Sequence, residues 1–411
     1  MDRIRLCIIA PDFWPIWGGL GTYVVELVNH LPRNIEIHVV TPKRESFGKE
    51  KLSTSTYDFA RQFGKNVKSH MVSRANDTFM YNFGFQLGCF REVPRLVKSE
   101  HIDLIHCSSH MTGLGGGLLE LRNPNVPMVT TIHTTIFGQR QGTRMSGVSF
   151  GELEFSEKMT ILGYPFLRFS EIAYFCKARQ YITVSDWMKQ QLRKREVKHS
   201  PISVVHNSVD TRKFCPADIE KPTKDVVLFT GRMIAAKGIR CLVEAIPRIL
   251  KEHPEAFFLF IGPGDFLPYQ RWLKDLCISE KNFAFLGYLK DRGELLEYLR
   301  SSSVYVAPTL YENLPIRILE AMACGAPVVA SNIAAIPEAI CNNVNGMLVE
   351  PGSVDDLANA VCLLLSDSSL RKRIGCEARK TVLERFDSEV NASRTAEVYQ
   401  KVLSQSQLLD A

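Results

Sequence analysis

The chain has 411 residues, 45% hydrophobic and 23% charged, with a formal charge of +6. That length exceeds what a single hydrophobic core fills, so two domains of about 200 residues are expected; ordinary globular usage without low-complexity tracts excludes a fibrous or disordered chain. The charge is uneven: residues 1–205 hold 26 Lys and Arg against 18 Asp and Glu (+8), the remainder 24 against 26 (−2), which suits an anionic partner better than a dedicated nucleic-acid binder.

Eleven cysteines form no C-x-x-C pair, and Cys7, Cys241 and Cys362 sit inside apolar runs, the pattern of reduced, buried thiols in a cytoplasmic protein. The apolar start Ile4 to Ala10 meets Pro11-Asp12 with no small-residue cleavage site, so it reads as a first strand and not a signal peptide. No run of about 18 apolar residues marks a spanning helix.

Short β-branched runs alternate with helix-period segments from the start: strand Ile4 to Ala10, helix Thr22 to Leu31, strand Ile35 to Thr41. This rhythm predicts a parallel sheet covered by helices. Residues 45–100 give no clear assignment. Further strands are expected at Leu104 to Cys107, Met128 to Ile132, Tyr181 to Val184 and Ile202 to Val205. From His206 to Asp225 the chain turns polar and proline-bearing, which places a hinge there. A second series follows, with strands at Val226 to Thr230, Phe257 to Ile261, Phe283 to Leu286, Val304 to Ala307, Pro327 to Ala330 and Met347 to Val349, and a last helix over Ser388 to Leu408. The domains are therefore 1–205 and 206–387.

Parallel sheets bind ligands beyond the carboxyl ends of their strands, so the loops there carry the chemistry. After the first strand, Gly18-Gly19-Leu20-Gly21 leads into a helix; glycines let backbone amides approach a phosphate, and an ordinary tight turn would use the same residues. Dinucleotide spacing fails at Val24. His133 ends another strand, where a histidine is either structural or in reach of substrate. In the second half, Gly231-Arg232 and Lys237-Gly238 bound a loop whose two cations could grip a diphosphate, one by a planar fork and one as a point charge, or simply be solvated. Gly262-Pro263-Gly264 and Gly287-Tyr288-Leu289 repeat the device at the next two strand ends.

The most specific segment is Pro308 to Ser331. Pro315 suits a first helical position, Gly325 a helix stop, and Pro327 the start of a strand. Glu312 then lies before a short helix and Glu320 on it, two acceptor-only carboxylates near an anion-binding terminus that either receive sugar hydroxyls or are a capping glutamate and a solvated helix glutamate.

From Glu312-x7-Glu320 and the following Ala-Met-Ala-Cys-Gly-Ala-Pro-Val-Val-Ala, the sequence resembles the retaining nucleotide-sugar glycosyltransferases of the GT-B fold, specifically glycosyltransferase family 4. The match spans nearly the whole chain, with support from Gly18-Gly19, His133, Asn207-Ser208, Gly231-Arg232, Lys237-Gly238 and Phe285 to Tyr288. The resemblance implies an α/β architecture of two facing Rossmann-like domains with an interdomain cleft, the last helix returning to the first domain. It implies that Arg232 and Lys237 hold the donor diphosphate, that Glu312 and His133 contact the transferred sugar, and that Glu320 holds the ribose. Gly18, Gly19, Asn207, Gly264, Asn313 and Leu314 would line the donor, and backbone near Tyr288 and Leu289 would receive the base. The family often has glycine where this chain has Asn313, which leaves the sugar preference undefined.

No D-x-D triplet occurs in the chain. Metal-independent transfer is therefore expected, with Arg232, Lys237 and the helix dipole before Ile316 neutralising the departing nucleotide diphosphate. A sugar-nucleotide epimerase, a phosphorylase or a non-catalytic sugar-nucleotide binder could use the same architecture. Expected partners are a nucleotide-sugar donor and a sugar, lipid-phosphate or other small acceptor. The basic, aromatic stretch Trp187 to Arg195 allows contact with an anionic membrane at its inner face, or a solvated helix.

Overall fold

The computed structural model describes residues 3–14, 18–43, 46–47, 50–51, 62–64, 66–74, 78–109, 125–175, 180–195, 197, 200–217 and 224–410. Residues 15–17 of the loop after the first strand lie outside them.

The chain divides into two compact units. The first comprises Met1–Ile136, Leu162–Ser208 and Ser388–Ala411, and the second Phe137–Ile161 and Val209–Asp387. The sequence reading drew one boundary near residue 205. The structure instead groups 137–161 with the second unit, because that segment packs there: a Cβ on Gly138 would fall 1.9 Å from the Tyr311 hydroxyl.

In the first unit the strands are β1 (Ile4–Ile9), β2 (Ile35–Lys43), β5 (Val67–Arg74), β6 (Leu104–Cys107), β7 (Met128–Ile132), β8 (Gln180–Thr183) and β9 (Ile202–Val204), with a small hairpin of β3 (Ser46–Phe47) and β4 (Glu50–Lys51) apart from the main sheet. All seven main strands are parallel, in the order β5-β2-β1-β6-β7-β8-β9. The helices are α1 (Gly19–His30), α2 (Thr78–Ser99), α3 (Ile136–Met145), α4 (Phe155–Leu162), α5 (Tyr164–Phe175) and α6 (Asp186–Arg195), of which α3 and most of α4 go with the second unit. One core forms where Cys7 and Ile9 of β1, Val40 of β2 and Ile105 of β6 meet Phe85, Cys89 and Val93 of α2. Cys7 is a buried free thiol, as are Cys241 and Cys362.

β5 and α2 fall in the stretch that gave no sequence assignment. β5 is an edge strand rich in polar residues, and α2 carries two glycines and an internal proline, Pro94, which obscure its period.

The second unit is built from β10 (Val226–Thr230), α7 (Ile239–Glu252), β11 (Phe257–Ile261), α8 (Leu267–Asp275), β12 (Phe283–Gly287), α9 (Arg292–Ser301), β13 (Val304–Ala307), α10 (Ile316–Ala323), β14 (Val328–Ser331), α11 (Ile336–Ala339), β15 (Met347–Val349), α12 (Val354–Ser366) and α13 (Ser368–Arg385). Its strands are parallel in the order β12-β11-β10-β13-β14-β15. Near-continuous apolar strands such as Phe257–Ile261 are what a sheet covered on both faces requires. The core joins Phe229, Phe258, Val306 and Val329 to Leu242 and Ile246 of α7 and Leu357 and Val361 of α12.

The last helix, α14 (Ser388–Asp410), belongs to the first unit. Its first residue, Ser388, donates to Glu26 of α1 (2.9 Å), and the Tyr399 hydroxyl meets His106 Nδ1 of β6 (2.7 Å). Among the described residues no helix is long and apolar enough to cross a membrane.

Candidate functional site

In each sheet the strand order reverses beside the first strand, between β1 and β6 and between β10 and β13. Loops that leave the carboxyl ends of such strands diverge and open a crevice. In the second unit these loops are Gly231–Gly238 and Pro308–Pro315, the two segments that carry the sequence-predicted cations and the first glutamate.

They are stitched together. Leu310 donates its amide to Ala236 O (2.9 Å), and Thr309 Oγ1 donates to the same carbonyl (3.1 Å). Gly238 has φ +68°, and a Cβ there would meet Pro308 O at 1.8 Å, so only glycine allows this approach. Lys237 Nζ is ion-paired with Glu312 Oε2 across the two loops.

Carboxylates from residues 137–161 sit on the same loop. Arg232 Nη2 donates to Glu154 Oε2 (2.8 Å) and to Ser156 Oγ (3.1 Å). Glu157, buried, accepts the amides of Ala235 and Ala236, each at 3.3 Å. Two backbone amides and a guanidinium thus already hold anionic oxygens, the geometry that phosphate also satisfies. Burial, with repulsion from Arg232 second, pushes the Lys237 ammonium down to about 8.

Glu320 stands apart in its environment. It is fully buried on α10, with Arg292 paired to Oε1 and Arg317 Nη1 donating to Oε2 (2.7 Å). Burial alone would raise its carboxyl pKa, but the two guanidiniums outweigh it and hold Glu320 below the usual range. Arg292 also lies over the Phe214 ring, 4.9 Å from its centroid. The sequence reading had both glutamates open to sugar hydroxyls; here each Glu320 oxygen already accepts from an arginine. Pro315 caps α10 one residue earlier than expected, and Gly325, at φ +73°, ends it as expected.

Asn313 and Leu314 are buried beside Glu312, and Tyr288 and Leu289 are half-buried after β12. Gly264 bridges to Met233, where a Cβ would meet the methionine Cβ at 2.7 Å, so close packing is reason enough for glycine there.

In the first unit, Gly18 caps α1, its carbonyl accepting the Thr22 amide (2.8 Å), and exposed Gly19 opens the helix with clear space around it. His133 follows β7, half-buried, with the Tyr23 ring edge-on at 4.4 Å. Tyr23 is fixed in turn by a buried chain: its hydroxyl meets Thr131 Oγ1 (3.0 Å), which meets His106 Nε2 (2.8 Å), whose Nδ1 meets Tyr399. Burial pushes His106 down to about 3, so this imidazole is neutral. Asn207 is buried after β9.

The family comparisons agree with this arrangement. A model of Glycosyltransferase Family 4 matches residues 17–213, and one of Glycosyl transferases group 1 matches residues 224–367. Glycogen synthase of Mycobacterium tuberculosis is 30% identical over 410 residues, covering 96% of this chain and 94% of that protein. The chain belongs to the GT-B glycosyltransferases, resembling family 4. Sucrose-phosphate synthase of Thermosynechococcus elongatus shares the fold at TM-score 0.78 and 20% identity, over 98% of this chain and 100% of that one. So does Anabaena HepE, solved in complex with UDP-glucose, at TM-score 0.73 and 16% identity, over 97% and 100%.

Within this glycosyltransferase the structure brings Lys237 and Glu312 into contact and gathers Arg232 on the same loop, while His133, Gly18, Gly19 and Asn207 belong to the other unit. Sequence reasoning missed Glu154, Glu157, Arg292 and Arg317. Arg317 lies three residues before Glu320, a spacing that puts both on one helix face and was legible. The others come from 28 or 78 positions away and have no local signal.

Proposed function

We propose that the enzyme transfers a hexosyl group from a nucleotide-diphosphate sugar to an acceptor with retention of configuration and without a catalytic metal. The observation that carries this reading is the Gly231–Gly238 loop, where Arg232 and the Ala235 and Ala236 amides already hold carboxylate oxygens and Lys237 supplies a second cation. In the reaction the diphosphate displaces Glu154 from Arg232 and Glu312 from Lys237. The released Glu312 accepts a hydroxyl of the transferred sugar.

The bond between the anomeric carbon and the leaving phosphate oxygen breaks first, the negative charge going to Arg232, Lys237 and the amino end of α10. The acceptor oxygen then bonds to the same face of the anomeric carbon, and its proton passes to the departing phosphate. No side chain has to serve as a covalent nucleophile. Cation stabilisation of this kind replaces what a bound metal supplies in D-x-D enzymes.

Leu162, Phe166, Phe169 and Ile172 stand exposed on and beside α5, which favours a lipid-linked acceptor at an anionic membrane surface over a free sugar. The test is a panel of sugar nucleotides screened by thermal shift, beginning with UDP-glucose because a protein of the same fold binds it. Cognate donors are then assayed with free and liposome-borne acceptors, with chelator or added Mn2+, and the product anomer is read by NMR. An inverted product, or activity only with added metal, would overturn the mechanism. Absence of any donor-induced shift would overturn the substrate class.

A further inference from the structure

At the amino end of β2, away from the carboxyl-edge loops, the first unit holds a cluster of charged and imidazole groups that sugar transfer does not use. Glu36 and His38 share one face of β2, Lys68 and His70 share a face of β5, and His38 is paired in register with Lys68. Glu100 joins them from just beyond α2. Lys68 Nζ bridges the carboxylates, 3.0 Å from Glu36 Oε1 and 2.9 Å from Glu100 Oε2, and Arg3 takes the other Glu36 oxygen at 3.0 Å.

His38 is fully buried beside this bridge, and its Nε2 has no hydrogen-bond partner among the described residues. That nitrogen points between the carboxylates, 3.6 Å from Glu36 Oε1 and 3.8 Å from Glu100 Oε2, too far for hydrogen bonds. Its Nδ1 lies 3.1 Å from His70 Nε2. When Nδ1 carries the proton and donates to His70, Nε2 is left as a lone pair beside two carboxylates, an arrangement that a cation held among the three satisfies.

The three ligand atoms lie within 4.8 Å of one another. Tetrahedral coordination at roughly 2.0–2.2 Å sets ligand-to-ligand edges of about 3.3–3.6 Å, close to the two separations of His38 Nε2 from the carboxylates. A ligating histidine whose other ring nitrogen donates to a fixed acceptor is the usual outer arrangement of such centres, and His70 provides it.

We propose that Glu36, His38 and Glu100 form a zinc-type divalent cation site in which the Lys68 ammonium is the cation of the metal-free state. The Lys68 side chain is 47% exposed and can swing outward when a metal takes the shared carboxylates, and water fills the fourth position. The site would tie β2, β5 and the end of α2 together, a structural role distinct from transfer chemistry. It stands independently of the proposed reaction.

The test uses the full chain, stripped with chelator and titrated with zinc chloride. Wild type should bind one Zn2+ and gain thermal stability. Lys68→Ala should bind at least about tenfold more tightly, because the competing cation is gone. Glu100→Gln, at a side chain one-third exposed, should lose the site without disturbing the fold. His70→Ala should weaken binding roughly ten- to a hundredfold. Cobalt in place of zinc should give the visible absorption of a four-coordinate centre in wild type and not in Glu100→Gln. The proposal is overturned if wild type and Lys68→Ala bind no more zinc than Glu100→Gln, or if Lys68→Ala binds less tightly than wild type. His38→Gln, where it folds, must match Glu100→Gln.

Discussion

Two guanidinium–carboxylate contacts in the second unit have the same chemistry and opposite character. Arg232 and Glu154 are 47% and 33% exposed, whereas Arg292 and Glu320 are 4% and 0% exposed. Exposed pairs are screened and worth about 0–1 kcal/mol, so Arg232 can exchange its partner for an incoming diphosphate at little cost. A buried pair has given up its water, and removing one partner leaves the other charge stranded. Burial decides which contact is exchangeable and which holds α10 to α9.

The largest expected effect breaks the buried side of this comparison. Glu320→Ala should destabilise the protein by about 3–5 kcal/mol in denaturant unfolding, since Arg292 would remain in the interior without its carboxylate. A loss below about 1 kcal/mol would mean that the triad is wetter than it looks. Next, Arg232→Ala or Lys237→Ala should each lower kcat roughly a hundredfold or more while leaving the melting temperature nearly unchanged; near-normal turnover in both would remove the diphosphate assignment.

The third prediction uses Lys237, whose pKa sits at about 8 in the free enzyme. Only the protonated amine attracts the diphosphate, and binding raises its pKa, so nucleotide binding takes up protons near pH 8. Affinity should be steady below that pH and fall above it, and Lys237→Arg should flatten the decline; calorimetry in buffers of different ionisation enthalpy measures both. The smallest effect sharpens the exposed side. Glu154→Gln weakens the competitor for Arg232 and should tighten nucleotide binding by up to about fivefold, as expected for a surface pair. Weaker binding would show that Glu154 positions Arg232 instead of competing for it.

Much of the fold was legible. The strands from Val226 to Val349 were read almost to the residue because β-branched apolar runs end at glycine and proline, and a parallel sheet buried on both faces leaves little ambiguity. β5 and α2 were not, because an edge strand needs no apolar alternation and Gly84, Gly88 and Pro94 interrupt the helical period. Lys237 and Glu312 were both singled out on their own loops, yet their contact depends on β10 and β13 being neighbours in the sheet.

The sequence by itself determined the two alternating series, the glycine-bounded cations and the Glu312–Glu320 spacing, because turn chemistry and hydrophobic period act over a few residues. Tertiary structure alone decided the rest. It carried Glu154 and Glu157 across 78 positions of the chain onto the loop after β10, seated Glu320 between two arginines, and set Glu36, His38 and Glu100 around one point. Charges far apart in the chain interact only once folding brings them within a few ångströms, and no local pattern records where that happens.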